Sequence, residues 1–375
     1  MGKMYVSCFL GVFLSIAVTS LLLQTEAQAP PPTVYIFGDS TLDVGTNSLI
    51  PGCLARADFY FNGIDFHHSQ PTGRFSNGLN TADQIAILLG LKKSPPPFLY
   101  LVNDPSTFQE KILQGANFAS GGSGILNYTG QVKGAISLED QIKQFSTVRS
   151  NITNMTGGSE EASDTILSKA FFLISIGSND IFEYLLNPTR TMSVPEFNAT
   201  LISTYEYHIK TLYELGARTF GILTVPPIGC TPFARAVFSG GGNNSCFEPA
   251  QNFAQGFSSD VAILLENFSS QVKDIKYSVA NTFLMTSLLT EDMLAFGKKL
   301  LFSFKNVAAA CCGNGTYGCN QTASFCSNRE EYLFWDQFHP TQRASELAAL
   351  TAFGASDPLV TPMNFSQLLG LGVNI

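Results

Sequence analysis

The sequence predicts an α/β fold: a central, mostly parallel sheet with helices on both faces. Three observations predict it. Short apolar runs at 34–37, 170–176 and 219–225 are rich in β-branched and aromatic residues and stop at Gly or Pro. Stretches of helical spacing, most of ten residues or longer, stand between such runs, the alternation that builds a parallel sheet. No repeat, composition shift or flexible linker divides the chain after its first thirty residues, so 30–375 reads as one domain.

Taken in order, Val34-Tyr35-Ile36-Phe37 is a buried strand broken by Gly38 and Asp39, with Ser40 on the break. A hydroxyl at the carboxyl end of a central strand lies on the rim where α/β sheets build their sites. Residues 43–80 carry Gly, Pro, Asn and Asp throughout and read as a long surface excursion. A helix follows over 81–89, opened by Asn80 and stopped by Gly90. A short strand at 115–119 enters the flexible run Ser120-Gly121-Gly122-Ser123-Gly124. Helical spacing returns at 138–148, and 151–164 reads as an exposed loop. The strand at 170–176 ends in Gly177-Ser178-Asn179-Asp180, which resembles turn chemistry. Helices at 197–215 and 248–272 flank strands at 219–225 and 277–280. A last helix spans 340–352, with Pro340 in its first turn.

Composition narrows the function. A net charge of -8 with charged residues at only 13% leaves no basic stripe for a phosphate backbone, so nucleic acid is not an expected partner. Residues 1–29 have the form of a signal peptide: Lys3, an apolar run, then the small-x-small site Ala27-Gln28-Ala29. Cleavage after Ala27 avoids leaving Pro30 first, and an uncleaved anchor is the competing reading. No second apolar run approaches membrane length. Nine Asn-x-Ser/Thr acceptors, at Asn127, Asn151, Asn154, Asn198, Asn243, Asn267, Asn314, Asn320 and Asn364, predict a glycosylated secretory protein. Cysteines 311, 312, 319 and 326 lack paired C-x2-C spacing and any interleaved histidine, so disulfides are favoured over zinc. The seven cysteines beyond the first segment leave one thiol free, and the spacing does not say which.

A nucleophilic serine needs a base and an orienting acid. Of the four histidines, His67 and His68 lie in the early excursion and His208 falls inside a helix. His339 stands in Trp335-Asp336-Gln337-Phe338-His339-Pro340. Residues three apart in one turn are neighbours, so Asp336 can reach the ring and leave its other nitrogen for a serine proton. Donors for an oxyanion are available from the Ser120-Gly121-Gly122 backbone and from the Asn179 amide, although both segments also read as ordinary turns.

The ordered blocks Phe37-Gly38-Asp39-Ser40, Gly121, Gly177-Ser178-Asn179-Asp180 and Asp336-x-x-His339 resemble the SGNH, or GDSL, hydrolases. Gly73-Arg74-Phe75-Ser76-Asn77-Gly78, Pro226-Pro227-Ile228-Gly229-Cys230 and Ala310-Cys311-Cys312-Gly313 resemble the plant GDSL esterase/lipase branch. The resemblance implies an SGNH-hydrolase-like three-layer α/β/α sandwich with Ser40, Asp336 and His339 as catalytic residues. It implies an oxyanion hole of the Ser40 N–H, the Gly121 N–H and the Asn179 side chain, with no metal and no cofactor. The chain departs from the family pattern at Thr41, where leucine is usual, and at Gly45-Thr46-Asn47, where Gly-Asn-Asn is usual. Cys230 and Cys246 flank a polar loop and are paired in this reading, while Cys311 and Cys312 bond to Cys319 and Cys326 in an order left open.

The function these features predict is a secreted serine esterase/lipase, extracellular or cell-wall bound, acting on a lipid, an acylated small molecule or a polysaccharide ester. The same acyl-enzyme would serve an acyltransferase or a polysaccharide O-acetylesterase. A non-catalytic glycoprotein that binds lipid or cell-wall material is the reading from another class. The 31 phenylalanines are read as core packing in preference to an acyl pocket.

Overall fold

In the computed structural model, which describes residues 30–238, 245–290, 304–316 and 318–371, the first apolar run becomes β1 (Val34–Gly38) near the middle of a six-stranded sheet. β2 (Gly115–Asn117) lies on one side of it, and β3 (Phe171–Ser175), β4 (Thr219–Leu223) and β5 (Lys276–Ala280) follow on the other, all parallel. β6 (Asn306–Ala310) and β7 (Tyr332–Phe334) form a separate parallel pair, and β8 (Val360–Thr361) closes the main sheet antiparallel to β5. The described residues from Pro32 onward cluster as one unit. The signal segment expected over 1–29, and the acceptor at Asn243, lie outside the described residues.

Strand alternation sorts the core into two layers. Tyr35, Phe37, Phe172, Ile174 and Phe220 face one side, packing against α2 (Leu138–Met155), α4 (Val194–Glu214) and α5 (Glu248–Gln271). Val34, Ile36, Phe171 and Leu173 face the other, against α1 (Thr81–Leu88) and α6 (Gln342–Gly354). A strand covered on both faces needs apolar residues at every position, and β1 and β3 are fully buried throughout. This is the three-layer α/β/α sandwich expected. Among the described residues no helix is long and apolar enough to cross a membrane.

Four local readings are corrected. The 43–80 segment is irregular but not a surface excursion: Asp43, Thr46, Asn47, Asn62, Arg74, Ser76, Asn77 and Asn80 are all buried. Most of its buried polar groups find partners within the segment or on distant parts of the chain, such as Asp83, Gly121 and Trp335, a compensation that composition does not display. The 151–164 loop is mostly helix, since α2 runs to Met155 and Ser159 caps a further helix at Glu160–Leu167. The last helix starts at Gln342 because Thr341 caps it, its hydroxyl accepting from the Ala344 N–H, while Pro340 bridges to Phe334. The expected turn after β3 is α3 (Ser178–Leu186).

The strand order 2-1-3-4-5 places the switch point, where the chain leaves β1 for one side and returns on the other, at the carboxyl ends of β1 and β3. Backbone leaving the sheet there is buried and must find partners. Gln141 of α2 clamps the last peptide of β1, accepting from the Gly38 N–H at 2.9 Å and donating to the Gly38 carbonyl at 2.9 Å. Gly38 has φ +146°, and a Cβ there would meet the Ser175 carbonyl at 2.2 Å, so no larger residue fits. Asp43 accepts from the N–H groups of Gly45, Thr46 and Gly121. From the opposite side Asp180 accepts from Ile125, Leu126 and the Thr129 hydroxyl. Burial pushes both carboxyls up to about 6 against these hydrogen bonds.

The 43–80 segment is tied to α1 by a buried ion pair. Arg74 donates Nε–H and Nη2–H to the two oxygens of Asp83 at 2.6 and 2.8 Å, and Asp83 also takes the N–H groups of Asn80 and Ser94. Removing one partner of a buried pair strands the other charge at a cost of about 3–5 kcal/mol. Arg74→Met is therefore expected to lower unfolding stability in urea by roughly 3 kcal/mol or more. A loss below about 1 kcal/mol, the size of an exposed pair, would contradict the structural role assigned to it.

Candidate active site

Ser40 stands two residues past β1 in a turn that opens with Asp39, whose N–H is held by the Ser175 carbonyl at 3.1 Å. The Asp39 carboxylate is buried and accepts from the N–H and hydroxyl of Thr41. Burial raises its pKa, with Thr41 and the nearby His339 pulling the other way. His339 arrives from the opposite direction, on the segment between β7 and α6. That segment is pinned by Cys311–Cys326 and Cys312–Cys319, by Cys312 N–H to the Trp335 carbonyl at 2.7 Å, and by the buried Trp335 indole N–H to Asn62 at 2.9 Å.

The two parts meet closely. His339 Nε2 lies 2.8 Å from Ser40 Oγ, and its Nδ1 lies 2.8 Å from Asp336 Oδ2. Asp336 Oδ1 also accepts the N–H groups of Phe338 and His339 at 2.8 Å, so one carboxylate closes the turn and orients the ring. Burial acts to raise the Asp336 pKa, but the His339 charge and these hydrogen bonds outweigh it and hold the carboxyl below its usual range. A carboxylate kept ionised against Nδ1–H leaves Nε2 to accept a proton from the serine.

The donors differ from expectation in one place. The Gly121 N–H donates to Asp43 at 2.9 Å, and a Cβ there would meet the Phe75 ring at 2.5 Å. Gly121 is thus a packing position whose N–H is already spent. Its neighbour Gly122 lines the cavity with Ser40 and Asn179. Asn179, in the first turn of α3, uses one amide hydrogen on the Ser123 carbonyl at 2.9 Å, which orients the group and leaves the second hydrogen available.

These residues open into a cavity of about 830 Å³, within the range of small-molecule sites. Phe59, Phe75, Phe182, Phe233 and Phe338 line it, while Tyr35, Phe37, Phe118, Phe145 and Phe172 stack in the core, so the phenylalanines serve both purposes. His208 is buried and its Nε2 donates to the Ile125 carbonyl at 3.0 Å, bracing the 120–125 loop. His67 and His68 are exposed and stack on each other. Sequence reasoning assigned no role to Asp43, Gln141 or Asp180. The only signal for Asp180 was its place beside Asn179.

Cys230 bonds Cys246, and the order left open for the other four is Cys311–Cys326 and Cys312–Cys319. Cys53 is the free thiol, buried.

A family model described as GDSL-like Lipase/Acylhydrolase matches residues 34–351. The Arabidopsis thaliana GDSL esterase/lipase At4g16230 is 33% identical over 97% of this chain and 99% of its own. GDSL esterase/lipase LTL1 of the same plant is 34% identical over 94% and 93%. Likeness of that breadth establishes membership: the chain belongs to the GDSL esterase/lipase family and is a carboxylic ester hydrolase.

Proposed function

We propose that this hydrolase works through an acyl-enzyme on Ser40. The observation that carries the reading is the continuous contact Ser40 Oγ, His339, Asp336, each link at 2.8 Å. In acylation the Ser40 oxygen bonds the ester carbon and its proton passes to His339 Nε2. The C–O bond to the alcohol then breaks, and the alcohol leaves with that proton. Water repeats the sequence on the acyl-enzyme, giving its proton to His339 and releasing the acid with Ser40 restored. Asp336 keeps the ring in one tautomer and balances the imidazolium. The oxyanion is held by the Ser40 N–H, the Asn179 amide and the Gly122 N–H, the last in place of Gly121. The residues in these roles need neither metal nor cofactor.

Export is part of the reading. It is supported by the three disulfides, which persist in oxidising compartments, and by the signal-like first segment. Asn127, Asn154, Asn267, Asn314 and Asn320 are exposed acceptors. Asn364 is a poor one, because its amide is buried and donates to the Ala355 carbonyl. An extracellular or cell-wall location follows.

Ser40→Ala is expected to abolish turnover of p-nitrophenyl acetate and labelling by a fluorophosphonate while leaving thermal unfolding unchanged. Full activity in this variant would remove Ser40 from the mechanism. Asp336→Asn is expected to lower kcat by about 10³–10⁴-fold with little change in KM, and a loss under tenfold would remove the orienting role. Because the Asp336 pKa is lowered in the fold, its stabilisation is present above the unfolded carboxyl pKa of about 3.9 and is lost only as pH falls through the lower folded value. Loss of this contribution should therefore begin only below about pH 3.9, as a circular-dichroism titration of the wild type against Asp336→Asn would show. Asn179→Ala should lower kcat by about 10²–10³-fold, measured on the same ester.

A further inference from the structure

The cavity does not end at the Ser40–His339 pair. It continues along the whole of α6, the helix that follows His339, as far as Gly354 and Leu359. Of the residues lining it, Ala344, Leu347, Ala348, Thr351 and Gly354 of α6 and the Ala355 that follows form a central stripe, with Leu350 at its edge. Their spacing of three, one, three, three and one places them on one face of the helix. Small side chains recur at 344, 348, 354 and 355, where larger ones would close the space. The facing wall is mostly apolar: Met285, Leu288 and Leu289 of the helix Thr282–Thr290 and Leu223 at the end of β4, with Thr224, Thr282 and Thr286 between them. Ser345 also borders the space, and its buried hydroxyl has no partner.

Length limits what fits. α6 has 13 residues, and at 1.5 Å per residue the channel beside it runs about 20 Å. Half the hydrocarbon thickness of a bilayer, the reach of one lipid chain, is about 15 Å. An acetyl group would leave nearly all of this wall in contact with nothing. A sugar ring would set most of its hydroxyls against Leu, Met and Ala side chains that offer no hydrogen bonds, the few Ser and Thr hydroxyls of the lining being too scattered to match them.

We infer that the channel along α6 holds a linear aliphatic chain of roughly sixteen carbons while its ester carbonyl sits at Ser40. This deepens the acyl-enzyme reading and rests on it. The substrate class is a long-chain ester, the chain being carried on either its acyl or its alcohol side. Ala348, midway along the stripe, then determines chain length. Each methylene moved out of water is worth up to about fourfold in binding, so preference should climb steadily with length until the channel is full.

The test uses the purified full-length glycoprotein and p-nitrophenyl esters from acetate to hexadecanoate at one fixed detergent concentration, with hexadecyl acetate for the alcohol side. The expected result is a kcat/KM that rises by at least about 100-fold from the acetate to the long acyl esters, or a comparable preference for hexadecyl over ethyl acetate. Ala348→Trp should cut the long-to-short ratio by roughly tenfold or more, and Ala348→Leu by less. Labelling with a small fluorophosphonate identifies variants that are folded. A flat profile or an optimum at butyrate or shorter together with no preference for hexadecyl over ethyl acetate, or a ratio unmoved in a folded Ala348→Trp variant, would overturn the channel. Failure of the underlying mechanism looks different: no ester of any length is hydrolysed and Ser40 takes no label.

Discussion

Backbone that leaves the carboxyl edge of β1 enters a buried region where no strand continues to pair with it. Each N–H and carbonyl there needs a partner or costs about 1–3 kcal/mol. Gln141, Asp43 and Asp180 supply most of those partners. Gln141 closes a two-bond clamp on Gly38, Asp43 gathers three N–H groups, and Asp180 gathers two more and a hydroxyl. The loop 120–125 is thereby held from both sides, with His208 as a third brace at Ile125. A glycine-rich run would otherwise be the most mobile part of the rim. Held in this way it can present fixed donors, and fixed donors are what make an oxyanion hole effective.

That accounting also distinguishes the two glycines and is the reason Gly122 is the one proposed as a donor. Gly121 and Gly122 are equivalent as letters, and both can approach a ligand closely. Only hydrogen-bond bookkeeping separates them, since the Gly121 N–H already has Asp43 while Gly122 borders the cavity. The Asp43 carboxylate therefore sets the donor pattern without touching the cavity itself. It is a positioning residue, and its contribution is read through the loop it anchors.

The sheet and its helices were legible because burial on both faces leaves an unmistakable apolar run, and because Asn80 and Gly90 mark the ends of α1. Ser40, Asp336 and His339 were legible because each lies beside a strand end or inside a turn where local spacing limits what it can reach. The 43–80 segment was not, since Arg74 with Asp83 and Asn62 with Trp335 are partnerships across distances in sequence of 9 and 273 residues. Polar composition signals exposure only when the partners are unseen. The helical character of 151–164 was hidden by Asn and Gly residues that local reading takes for loop, whereas Ile152 and Thr153 are buried there. α3 was missed because its first turn is the motif itself, and Asp180 spends its carboxylate on another loop instead of advertising a helix cap.

The site is built from two bodies with separate means of support. Ser40 and the oxyanion donors belong to the sheet and its buried polar clamps. His339 and Asp336 belong to the β6–β7 pair, whose closing loops span 15 and 7 residues between bonded cysteines. Closing a 15-residue loop stabilises such a segment by about 3 kcal/mol, which a two-stranded pair needs because it is marginal alone. The reacting groups must agree to within a few tenths of an ångström for proton transfer to compete. Asp336 meets that demand by accepting from its own turn and from the ring at once, so the orientation of the imidazole is fixed by the same carboxylate that shapes the backbone delivering it. The helix that begins three residues after His339, α6, then carries the cavity wall away from the same point. The orientation of the His339 ring and this wall of the cavity are for that reason set by one continuous stretch of sequence, from Asp336 to Gly354.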